Sequence, residues 1–171
     1  MWSAATVLTC ALDLLSGRFP SPAPIELLDS RPRSISMTAE AFVHADTIYL
    51  ITSTPVFRLA RAAREECGEK QAILKLASII VHERWHLEHG FDERPAYEAQ
   101  LTALSSLGAG VGTPVYHGVM KSMEAVLRAA RTPAAPRPGA ASPVRDGSWA
   151  SAIVGAPRES IRIERFEEAG H

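Results

Sequence analysis

The feature that most restricts this chain is the run 73–90. There Ile73, Leu74, Leu76, Ala77, Ile79, Ile80 and Val81 recur at helical spacing, with no proline or glycine, and lead into His82, Glu83, Arg84, Trp85 and His86. This pattern predicts a buried helix from near Glu69 to His89. Residues four apart lie above one another on a helix, so His82 and His86 can offer two imidazole nitrogens to one metal ion. Glu83 stands beside the first of them. Its carboxylate can reach a water in the open position of such a metal and take its proton as the water attacks a carbonyl. The plain alternative is a helix whose histidines are solvated or held by ordinary hydrogen bonds.

The segment His82-Glu83-Arg84-Trp85-His86 resembles the His-Glu-x-x-His signature of the zincin metallopeptidases, in particular compact, single-domain gluzincins such as the ImmA/IrrE-type regulatory peptidases. The resemblance spans at most residues 25–107, and only those five residues are specific. It implies an α+β, zincin-like fold in which a small, mostly antiparallel sheet packs on the metal-binding helix with further helices. It also implies a Zn2+ ion held by His82 and His86, Glu83 as general base, and a peptide or protein substrate held extended along an edge strand. Two alternatives stand beside this reading. One is a zincin-like module that binds without cutting, and the other is a small toxin-like effector protease.

A zinc ion with three protein ligands needs one donor more, and Asp92, Glu93 and Glu98 follow closely. Gly90 can take the left-handed conformation that ends a helix, turning the chain back past the metal. Glu93, three residues beyond it, resembles the third ligand that follows a turn glycine in zincins, and Glu93-Arg94-Pro95-Ala96 resembles the Glu-x-x-Ala stretch of gluzincins. Glu98 is the alternative, because a residue about two turns into a second, antiparallel helix comes level with the histidines. His89, seven positions after His82, shares its face, but a place in the last turn also suits a histidine facing the carbonyl end of the helix. Tyr97, Tyr116 and His117 are candidates to stabilise an oxyanion. Trp85 is expected to pack on the sheet, and His44 to be exposed.

At 171 residues the chain suits one domain with a proper core. Lys+Arg 18 against Asp+Glu 19 leaves it near neutrality, so no nucleic-acid or charged-membrane partner is indicated. Cys10 and Cys67 are widely spaced within helical apolar patterns, which predicts buried free thiols and a reducing, cytoplasmic setting. The apolar opening lacks a basic start and is interrupted by Asp13, so it reads as a helix ended by Gly17 rather than an export signal. No stretch reaches the roughly 20 apolar residues needed to span a bilayer.

Strands are predicted at 25–29, 34–43 and 47–52, the last two joined through His44-Ala45-Asp46. A helix starts at Thr54-Pro55 and is broken by Gly68; others cover 95–107 and 115–130. Residues 1–131 thus form the expected metallopeptidase-like domain. Residues 132–150, rich in Pro, Ala and Gly, read as a linker, and 151–171 as a tail or docking segment.

Overall fold

The computed structural model describes residues 1–20 and 23–131; the expected linker and tail lie outside the described residues. Five helices and three strands follow in the order α1 (Ala4–Leu15), β1 (Ile25–Leu28), β2 (Ala41–His44), β3 (Thr47–Ile51), α2 (Pro55–Arg61), α3 (Lys70–His89), α4 (Glu93–Ser106) and α5 (Pro114–Arg131). The class is α+β, with the histidine pair on one helix and Glu93 opening the next. Among the described residues no helix is long and apolar enough to cross a membrane.

Helix α3 is the axis of the domain. On one flank Ile73, Leu76, Ala77 and Ile80 join Val7, Leu8 and Ala11 of α1, Ile48 and Leu50 of β3, and Phe57 and Ala60 of α2 in the main core. Fully burying a side chain such as Ile80 stabilises the fold by about 2 kcal/mol. On the other flank Leu101 and Leu104 of α4 meet Val115 and Val119 of α5, with Leu74 against them. Burial on both flanks explains why the first half of α3 reads as nearly continuous apolar sequence rather than a single stripe.

Helix α4 comes close to α3 because its facing residues are small: Ala96 and Ala103 have no exposed surface. Between them the Gln100 amide donates to Ser78 Oγ at 3.1 Å, and that hydroxyl donates to the Lys75 carbonyl at 2.8 Å. These contacts run α4 back along α3 and set its first residue beside His82 and His86.

The sheet is mixed, not mostly antiparallel. Its order is β1-β3-β2, with β1 parallel and β2 antiparallel to β3. The connection 29–40 carries the chain across to the far side, and β3 then returns between the two. That connection also shortens the predicted strand 34–43. Residues 34–39 make turns instead, with Ile35 N–H donating to Pro32 O and Ala39 N–H to Ser36 O, and Arg31 closes the loop onto the Ala39 carbonyl at 2.6 Å. The hairpin turn falls where His44-Ala45-Asp46 predicts it, with Ala45 at φ 50°.

Helix α2 ends at Arg61, ahead of the expected break at Gly68, and the helix after Gly90 begins at Glu93 rather than Pro95. The second difference has a clear cause. Asp92 caps the helix by accepting from Arg94 N–H, and Pro95 falls in the first turn, where a missing N–H costs nothing.

The cysteines are not free thiols. Cys10 of α1 and Cys67 of the turn before α3 form a disulfide with Cα atoms 5.7 Å apart, Cys67 reaching it from a left-handed backbone at φ 54°. Disulfides persist in oxidising compartments and are rare in the cytosol, so this bond argues against the expected cytoplasmic placement. A separation of 57 residues gives no local sign of the pairing.

Candidate metal centre

His82 and His86 are both buried, and their Nε2 atoms lie 3.1 Å apart. Gly90, at φ 95°, ends α3, with its N–H donating to the His86 carbonyl and its own carbonyl accepting from His86 Nδ1 at 2.8 Å. Phe91 and Asp92 then bring the chain round to Glu93. One carboxylate oxygen of Glu93 lies 3.4 Å from His82 Nε2 and 3.9 Å from His86 Nε2. All three donor atoms fall within 4.8 Å of one another.

These separations suit one cation. Ligands about 2.0–2.1 Å from a tetrahedral metal stand about 3.3 Å from each other, close to the distances found. The protonation of His86 suits it too. A carbonyl can only accept, so the contact with Gly90 places a proton on Nδ1, and in the neutral ring Nε2 then keeps its lone pair, facing His82. The Nδ1 of His82 is buried without a hydrogen-bond partner. Its ring is instead held by edge contacts to His86 and Tyr97, at centroid distances of 4.7 and 4.6 Å. His82, His86 and Glu93 could therefore hold a metal ion.

Glu83 is 8 % exposed, and burial pushes its carboxyl up to about 7, outweighing the pull of His82; the charge of Glu93 raises it further. Glu93 behaves oppositely. A hydrogen bond from His82 keeps it below the usual carboxylate range despite partial burial. The Tyr97 phenol, one turn after Glu93, is raised to about 12 by burial and then by the charges of Glu93, Glu40 and Glu83, so it stays protonated at any ordinary pH.

The remaining candidates fall elsewhere. Glu98 is exposed and outside the donor group. With α4 starting at Glu93, residue 98 lies about 140° round the helix from residue 93, which turns it away from α3. Asp92 is engaged as the cap. His89 is exposed, donates from Nδ1 to the Trp85 carbonyl at 3.1 Å and stacks on the Trp85 ring. Trp85 walls a pocket with Leu15, Phe19 and Pro20. Tyr116 packs in the cluster between α4 and α5, while His117 and His44 are exposed.

Two features escaped the sequence. Lys75 pairs with Glu40 at 2.7 Å, tying α3 to the start of β2. Lys75 lies seven residues before His82 and shares its face, a spacing that could have been read. Phe91 stands at the lip of the centre, its ring 5.9 Å from that of His86, and nothing in the sequence around it marks this.

Fold and site together define an α+β domain in which two buried histidines and one partly buried carboxylate could hold a cation. No protein family, curated protein or solved structure matches the chain.

Proposed function

We propose that the protein is a zinc-dependent peptidase in which His82, His86 and Glu93 hold the ion and Glu83 acts as general base. The observation that supports this most is the convergence of those three donors next to a buried carboxylate. Two histidines and one carboxylate are a ligand set of catalytic zinc, leaving a position for water or substrate. When bound, zinc supplies Lewis acidity, polarising a carbonyl and acidifying water. Glu83 takes the proton of the attacking water and later gives it to the leaving amine.

Strand β2 suits the binding of an extended peptide. Among the described residues its outer edge has no partner strand, and Glu40, just before it, is tied to the face of α3 that bears His82. The resemblance of residues 82–86 to the zincin signature supports the same reading.

The test uses full-length protein loaded with zinc and incubated with a mixture of synthetic peptides, the new ends being read by mass spectrometry. Glu83→Gln is expected to keep its zinc and lose at least about 100-fold in cleavage rate. Equal cleavage by the variant would remove Glu83 from the chemistry. No cleavage by fully loaded wild-type protein would leave the binding module as the better description.

A further inference from the structure

We propose that Phe91 is the apolar wall of a substrate subsite at the metal centre, selecting a large apolar side chain, best an aromatic one, beside the bond to be cut. This rests on the peptidase reading above. Phe91 is 81 % exposed, the one aromatic ring among the large apolar side chains left in water in the described residues. A hydrophobic residue just before a helix cap ordinarily folds onto the fourth helical residue. Here that residue is Ala96, which has no exposed surface, and the Phe91 ring does not fold down to cover itself there. It lies instead toward His86, tilted 31° to that imidazole at a centroid distance of 5.9 Å.

The backbone that presents the ring is fixed at both ends. Gly90 is hydrogen-bonded to His86 through both its N–H and its carbonyl, and Asp92 is occupied in capping α4. The ring is therefore offered to solvent from an ordered link of three residues, 90–92, rather than from a long loop.

The rest of the surroundings explain why this one residue would set the preference. Glu83, Glu93 and the Tyr97 phenol are polar, and Glu40 adds a further charge that reaches Tyr97. Phe91 adds a flat apolar face to that setting. An aromatic side chain of a bound peptide would meet it at the 4.5–7 Å separation that ring pairs favour.

The experiment measures binding to the zinc-loaded full chain by calorimetry, with two hydroxamic acids that share one metal-binding group. One carries a methyl group and the other a benzyl side chain. Wild-type protein is expected to bind the benzyl compound about 10-fold more tightly. In Phe91→Ala the methyl compound should bind as before and the 10-fold preference should vanish, while Phe91→Leu should restore part of it. Zinc content should be the same in all three proteins.

A preference kept intact by Phe91→Ala, or absent in wild-type protein that binds both compounds, would overturn the assignment and leave the metal site standing. Failure of zinc-loaded wild-type protein to bind either compound would overturn the open metal site and this inference with it.

Discussion

Replacing Cys67 by Ser is expected to lower the stability of the domain by about 4 kcal/mol, the largest single loss anticipated here. The Cys10–Cys67 bond closes a loop across a separation of 57 residues, and the chain-entropy relation for a loop of that length gives about 4 kcal/mol. The bond joins α1 to the turn that leads into α3. Outside it, the start of α1 is tied to the end of α2 through Trp2 N–H to the Arg61 carbonyl at 2.9 Å and Arg61 Nε to the Trp2 carbonyl at 3.1 Å. Those hydrogen bonds, with the buried Val7, Leu8 and Ala11, should keep α1 docked in the variant, so the loss should appear as a shifted transition rather than an unfolded chain. Urea unfolding of oxidised wild type and Cys67→Ser measures it. A difference under about 1 kcal/mol would mean that the unfolded chain gains little freedom from the missing link.

The second large effect concerns Glu83 in protein stripped of metal. Its folded-state value of about 7 stands above the ordinary 4.5, chiefly because burial disfavours the charge. Below about pH 4.5 the carboxyl is protonated in both states and contributes no pH dependence. As pH rises, the unfolded chain releases the proton while the folded chain keeps it, so stability falls until the folded carboxyl also ionises. Above pH 7 the full cost is about 3 kcal/mol.

Glu83→Gln removes the titration, so the stripped variant should match wild type near pH 4 and exceed it by about 3 kcal/mol at pH 8. Bound zinc favours the carboxylate and should narrow the gap at pH 8. Equal stabilities at pH 8 without metal would show that Glu83 is better solvated than its burial indicates.

The parts of this molecule legible in the sequence are those set by short-range pattern. The extent of α3, the start of α2 at Thr54-Pro55, the hairpin turn at residues 44–46 and the facing of His82 with His86 all follow from spacing within a few residues. What the sequence left open depends on contacts made across the fold. The path of residues 29–40 decides that β1 runs parallel to β3, and no local pattern encodes that path. The choice between Glu93 and Glu98 turned on where α4 starts, which an Asp92 side-chain cap moved by one half-turn. Apolar helical surroundings suit a buried thiol as well as a disulfide, so nothing local marks the pairing of Cys10 with Cys67. Phe91 has no such mark, because a lone aromatic in a turn belongs to no periodic pattern.

That His82, His86 and Glu93 share one cation is the proposal on which the peptidase reading depends. It is tested most directly by zinc content after equilibration and gel filtration, measured on wild type, His82→Ala, Glu93→Gln and Glu98→Gln. One equivalent in wild type and Glu98→Gln, with loss in His82→Ala and a marked reduction in Glu93→Gln, is the expected result. Zinc kept at one equivalent by His82→Ala, or none bound by correctly folded wild-type protein, would contradict it.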